Sequence, residues 1–183
     1  MSGLMRIPET LVDFQLFLDG YGAMGEVPSV TLPAITEIFE SVDLPGAATA
    51  QKQFMGMFEE MECEFTLLGL NPYTLGLFGE DDKLFTFRAA SSQRDRPIPV
   101  LPIVAYMTGR LYALETEEIQ KKAMTRSRCR IDVRHYKLVH SGVVMCEIAA
   151  DGSVVKFGGR DMRSLINAAI GNPAGIINGI LGG

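Results

Sequence analysis

From Glu59 to Leu67 the chain alternates almost without a break. Glu60, Glu62, Glu64 and Thr66 fall on one side, and Met61, Cys63, Phe65 and Leu67 on the other. A period of two fits only an extended strand, because successive side chains leave opposite faces of the pleat. Burying each large apolar member contributes roughly 1.5–3 kcal/mol, so that face has to meet a core. The other face carries three carboxylates and has to border water or cations. Arg126–Leu138 repeats the pattern with the sign changed: Cys129, Ile131 and Val133 alternate with Arg128, Arg130, Asp132 and Arg134. If the two segments share a sheet, opposite charges meet across the strands.

Further extended runs cover Leu84–Ser91, Val100–Leu114, Val143–Ile148 after Ser141-Gly142, and Val154–Phe157 after Asp151-Gly152. Gly109 inside the second of these marks a bulge or a close neighbour. Ser92–Pro97 reads as a polar turn. A short helix is expected from Asn71-Pro72, a good cap followed by a residue suited to the first helical position, to Gly79. A second spans Arg160–Ile170, with Met162, Leu165, Ile166, Ala169 and Ile170 on one side. The expected fold is mainly β: an antiparallel β-sandwich or partly closed barrel with one or two short α-helices. One domain is expected over 1–171, followed by a Gly- and Asn-containing tail, 172–183.

The stretch Phe14–Ile35 holds Gly20, Gly22 and Gly25 in the G-x-G-x-x-G spacing of a dinucleotide site, with Asp43 further on. That motif needs a helix after the last glycine. Pro28, Pro33 and the β-branched Val27, Val30 and Thr31 exclude one. A hairpin over Val12–Leu32, turning at Asp19-Gly20, is expected instead. Pro33–Phe58 shows no clear strand and reads as a long functional loop. Its Met55-Gly56-Met57-Phe58 end either packs on a partner or folds back on the core.

Composition narrows the function. With 47% hydrophobic and 21% charged residues the chain is globular. A net charge of −5 argues against gripping nucleic acid from outside, but not against letting it slide past. Met1–Asp13 lacks the apolar core of a signal peptide, and Gly171–Gly183 is too short and glycine-rich to cross a bilayer, so synthesis in the cytoplasm is expected. Cys63, Cys129 and Cys146, odd in number and dispersed, read as core residues. His135, on a face with Cys129 and Val133, lies roughly 20 Å from Cys129 by strand rise and reads as structural. His140 reads as a turn residue. Three glutamates along one strand do not converge on a metal. No catalytic residue, cofactor or metal site is expected.

Leu16–Pro33, L-F-L-D-G-Y-G-A-M-G-E-V-P-S-V-T-L-P, resembles the N-terminal signature of major tail tube proteins of contractile-tailed (myovirus-type) phages and phage-tail-like bacteriocins. The similarity continues through Met61–Phe65, Gly109–Leu111, Tyr136-Lys137-Leu138 and Glu147-Ile148, and ends near Gly171. The resemblance implies a structural virion protein of the tail, assembled in the host cytoplasm, whose hexameric rings stack into a conduit for DNA ejection. Implied partners are further copies of the chain, the tail sheath, baseplate and tail-terminator proteins, and the tape-measure protein and genomic DNA in the lumen without specific binding; no membrane is implied. On this reading Glu60, Glu62, Glu64, Arg128 and Arg130 face the lumen. Gly20, Gly22, Gly25, Leu44, Pro45, Met55, Met57 and Phe58 make inter-ring or inter-subunit contacts. The tail 172–183 and the arginine-rich strand depart from the family pattern. The alternatives are the tube of a bacteriocin or another contractile injection system, and a monomeric β-barrel binding module.

Overall fold

The computed structural model describes residues 9–23, 25–42, 45, 48–49, 51–92 and 100–171. Leu44, the polar turn from Gln93 to Pro97 and the tail 172–183 lie outside them. In chain order the strands are β1 (Thr10–Leu18), β2 (Tyr21–Gly22), β3 (Ser29–Thr31), β4 (Glu37–Val42), β5 (Gln51–Phe58) and β6 (Met61–Leu68). The helix α1 (Pro72–Gly76) precedes β7 (Lys83–Ser92), β8 (Val100–Thr116), β9 (Arg126–His140), β10 (Val143–Ala149), β11 (Val155–Phe157) and β12 (Arg160–Asp161), and α2 (Ser164–Ala169) follows. Among the described residues ten strands form one antiparallel sheet and β4–β5 a separate pair. The mainly β antiparallel fold is as expected; the large sheet stays open and does not close into a barrel.

The long strand β9 is its spine. Along one edge it pairs with β8 from Ile103↔His140 to Thr116↔Ser127. Along the other it takes two strands end to end: β6 from Leu68↔Arg126 to Met61↔Val133, then β10 from Ala149↔His135 to Val143↔His140. The handover falls at Arg134, which the β8 register also skips. That extra residue is a bulge, and it reverses the alternation. Val133 and Tyr136 both point into the core. His135 therefore turns outward to Glu147 Oε1 at 3.2 Å, rather than sharing the face of Cys129 and Val133.

The inner face of the sheet forms one apolar cluster. Leu16 and Leu18 of β1, Phe85 of β7, Met107 and Leu111 of β8, and Ile131 of β9 are all fully buried in it. The β6 side chains Met61, Cys63, Phe65 and Leu67 enter the same cluster, as their period requires. All three cysteines are buried and free. Burial pushes the Cys63 and Cys129 thiols up to about 12, with the charges of Glu62 and Glu64 adding to the shift at Cys63.

Three expectations need correction. The Asp19-Gly20 turn is present, but only Tyr21–Gly22 pairs back on β1. Gly25, at φ +76, sends the chain away, and β3 pairs with β6 instead. Val27 is buried there and Val30 packs against the core, contacts that a simple hairpin could not give. Pro33–Phe58 is not an irregular loop; most of it is the arm β4–β5, in register from Glu37↔Phe58 to Val42↔Gln51. The second helix is shorter than expected and faces the other way. Asn167 is its buried residue, donating through Nδ2 to the Gly152 carbonyl at 3.1 Å, while Met162, Leu165, Ile166 and Ile170 are exposed.

Other local signals hold. Asn71 caps α1, accepting from the Tyr73 N–H at 2.8 Å, with Pro72 in the first turn. Gly109 proves to be both a register shift and a close approach: a Cβ there would lie 2.0 Å from the Asp132 carbonyl oxygen. Backbone cannot retreat as a flexible side chain can. Gly109→Ala is therefore expected to lower stability by about 1–3 kcal/mol, read as a fall in the urea midpoint at constant slope. An unchanged midpoint would contradict the close approach of β8 and β9.

Candidate functional site

The residues singled out by sequence fall in three separate places. The first is the outward face of β6, β9 and β8. Because β6 and β9 are adjacent, Glu64 stands opposite Arg130 and Thr66 opposite Arg128. Arg128 Nε lies 3.2 Å from Glu64 Oε1. Arg130 lies at the centre of a carboxylate cluster: its Nε is 3.4 Å from Glu64 and 3.8 Å from Glu62, and its Nη2 is 3.5 Å from Glu115 of β8. Glu62 faces a like charge, Asp132, in register. The Tyr112 hydroxyl offsets this by donating to Glu62 Oε2 at 2.5 Å. That bond holds the phenol proton on above its ordinary range. Glu60 lies just before β6, exposed and outside the strand. The structure thus brings together Glu62, Glu64, Arg128 and Arg130, and leaves Glu60 at the margin.

Sequence reasoning missed Arg110, Tyr112 and Glu115 on this face, and Asp81 beside it. Arg110 and Tyr112 carried a signal in their spacing of two along β8. Glu115 did not, because a register shift between Leu111 and Ala113 changes which residues face out. Asp81, in the loop before β7, lies 3.4 Å from Arg110 and 3.1 Å from Arg134. The bulged Arg134 therefore ties that loop to the spine of the sheet.

The second place is the glycine-rich turn. Asp19 and Gly20 have φ of +47 and +89, the left-handed pair required by a two-residue hairpin loop. Gly22 faces Gln15, whose Nε2 would be 2.8 Å from an added Cβ, whereas Gly20 and Gly25 have open space around them. The turn is fastened to α1. Tyr21 and Tyr73 stack at 4.8 Å, the Tyr73 hydroxyl donates to the Asp19 carbonyl at 3.2 Å, and Asn71 Nδ2 donates to Glu26 Oε2 at 2.6 Å.

The third place is the arm. Met55 and Met57 are exposed, as is Pro45 between the two strands. Phe58 is half-buried: it stacks on Phe157 of β11 at 5.9 Å and continues through Phe54 to Phe39, with ring spacings of 5.8 and 6.0 Å. At the Met55–Phe58 end, Phe58 folds back on the body, while Met55 and Met57 stay exposed. Among the described residues no group of three His, Cys, Asp or Glu side chains is placed to hold a metal.

An open antiparallel sheet with one core face, one ion-paired face and a projecting arm is the build of a structural β protein. A family model for phage tail tube protein FII matches residues 8–171, and the chain belongs to that family of structural tail tube proteins, which are not enzymes. The tail tube protein of Escherichia phage P2 is 26% identical over 162 residues, covering 86% of this chain and 94% of that protein. A solved sheath/tube terminator of an extracellular contractile injection system, PVC, in its extended state, covers 74% of this chain and 99% of its own at a TM-score of 0.54. At 10% identity that likeness concerns the fold alone. The resemblance carried by Leu16–Pro33 is thus borne out: this is a tail tube protein of a contractile phage or injection system.

The ion-paired face makes a direct prediction. Arg130→Gln leaves Glu62, Glu64 and Glu115 around a neutral group. The melting temperature is expected to fall in 0.1 M salt, where screening reaches about 10 Å, and to approach that of the unaltered chain near 1 M, where it reaches about 3 Å. A loss independent of salt would mean that packing of the arginine stem, not its charge, is what matters.

Proposed function

We propose that the chain is the protomer of a tail tube in which hexameric rings stack into the conduit for DNA ejection. The observation that carries this reading is the open sheet. Among the described residues the outer edge of β1 is held at its last three residues, where Phe17 and Leu18 pair with the two-residue β2 and the Ala23 N–H donates to the Leu16 carbonyl at 2.9 Å. Unpaired edges on a stable protein call for partners, and joining sheets around a ring removes them. Membership of the tail tube family supports the same conclusion.

The outward face of β6 and β9 then lines the lumen, with Glu62, Glu64, Arg128 and Arg130 on it and Glu60 at its margin. Because its carboxylates and guanidinium groups are interleaved, passing phosphates meet a surface already neutralised at short range. This differs from a purely acidic, repelling wall, and it gives the arginine-rich strand a place. The arm, with Leu44, Pro45, Met55, Met57 and Phe58, reaches a neighbouring ring or subunit, and the turn at Gly20, Gly22 and Gly25 contributes a contact beside α1. The sheath surrounds the tube, terminator and baseplate proteins close its ends, and the tape-measure protein and genome occupy the bore without specific binding. The chain then resides in the virion tail after assembly in the host cytoplasm. Similarity to a phage P2 protein along nearly its whole length favours a phage over a free-standing injection system.

Negative-stain microscopy of the purified protein tests this: sixfold rings or tubes are expected, and a stable monomer at high concentration overturns it. Met55→Asp combined with Met57→Asp is expected to abolish tubes while leaving the melting temperature of the free protomer within about 2 °C, because both side chains are exposed. Normal tubes from that variant would remove the arm from the contact.

A further inference from the structure

Charge is distributed unevenly along β6. In the middle of the sheet it is cancelled, since Arg128 and Arg130 both meet Glu64. The arm β4–β5 joins the sheet just before Met61, the first residue of β6. Its register sets Glu40 opposite Gln53, so Glu40 and Met55 share one face, while Lys52, opposite Ser41, lies on the other. Exposed Met57 and Glu59 continue the face of Glu40 toward β6. At the other end of β6, Leu68 pairs with Arg126, and the connection between β8 and β9 extends beyond that pair. Lys121 and Lys122 form its turn, where Lys122 has φ +66, with Ile119 and Met124 exposed on either side. Glu117 stays at the root, its N–H on the Arg126 carbonyl at 2.9 Å, and Glu118 follows it. The side chains of Glu40, Glu59, Lys121 and Lys122 have no ion-pair or hydrogen-bond partner among the described residues. Unpaired acid thus stands at one end of β6 and unpaired base at the other, each beside exposed apolar side chains.

We propose that the arm of one copy seats on the β8–β9 connection of the next copy along the stack, Glu40 and Glu59 against Lys121 and Lys122, and Met55 and Met57 over Ile119 and Met124. The inference rests on reading the chain as a stacking tube protomer, and it names the surface that the arm meets. The arm does not meet its own connection. Met61–Leu68 separates the two by about 24 Å at strand rise. Phe58 stacks on Phe157, and Ile166 Cδ1 sits where a Cβ on Gly56 would be 2.9 Å away, so the arm is held at its own end of the sheet. Charge selects the partner surface. Arm against arm sets glutamate on glutamate, and connection against connection sets lysine on lysine, both of which are penalised. Only arm against connection pairs opposite signs. Because the two surfaces lie at opposite ends of β6, such a contact is head to tail. Each added copy leaves one of each surface free, and the contact propagates instead of closing on a pair. The unbranched methionines supply adaptable apolar area beside the ion pairs.

Charge exchange in the full chain tests the proposal, with assembly read by negative-stain microscopy in 0.1 M salt. One variant carries Lys121→Glu with Lys122→Glu, a second Glu40→Lys with Glu59→Lys, and a third all four changes. All four side chains are exposed and unpartnered, so the protomers are expected to keep the urea midpoint of the unaltered chain. Each double variant is expected to lose tubes and stop at single rings. The four-fold variant, in which both surfaces have changed sign, is expected to regain tubes. Mixing the two double variants is also expected to restore tubes, since rings of the two kinds can alternate with every contact complementary. Tubes from either double variant alone, or no recovery in the four-fold chain and the mixture, overturn the proposal. Loss of the rings themselves from a double variant also overturns it, because the contact would then lie within a ring. Failure of the unaltered chain to form rings or tubes is a separate result: it removes the tube reading, and this contact with it.

Discussion

Both edges of β9 are paired, and the rest of the protomer is arranged by that constraint. A strand with β8 on one edge and β6 and β10 in succession on the other cannot shift register without breaking three ladders. Its inner residues Cys129, Ile131 and Val133 set the depth of the core, while its outer residues set the charge of the opposite face. The bulge at Arg134 is where the two partners on one edge change over. It aims an arginine at Asp81 and Asp82, so the irregularity that reverses the alternation also holds down the neighbouring loop.

How much of this was legible follows from how local each cause is. The strands β6 and β9 could be read directly, because alternation is written into adjacent residues, and so could Asn71-Pro72 and the Asp19-Gly20 turn. The pairing of Glu64 with Arg130 was foreseeable once both strands were placed in one sheet. What failed depended on distant partners. The strand β3 pairs with β6 because Val27 and Val30 find core there, and nothing in Leu16–Pro33 names that partner. Both faces of β4 are half-exposed, so Ile38 and Phe39 give no clean period. In α2 the buried Asn167 bonds to the Gly152 carbonyl while Leu165 and Ile170 stay exposed, an arrangement that the apolar stripe does not announce. The bulge at Arg134 carries no glycine to announce it.

The charged face shows how geometry changes the meaning of composition. A strand of glutamates alone suggests repulsion of phosphate, and a strand of arginines alone suggests its capture. Placed side by side, with Tyr112 relieving the one like-charged register pair, they become a surface of short-range dipoles whose field fades within a few ångströms. Such exposed pairs add little to stability.

The three thiols have a consequence for the life of the molecule outside a cell. With the Cys63 and Cys129 thiols pushed to about 12, only about one in ten thousand is ionised at pH 8. Being buried as well, they offer oxidants almost no nucleophile. The three thiols are therefore poor partners for disulfide exchange in the folded chain.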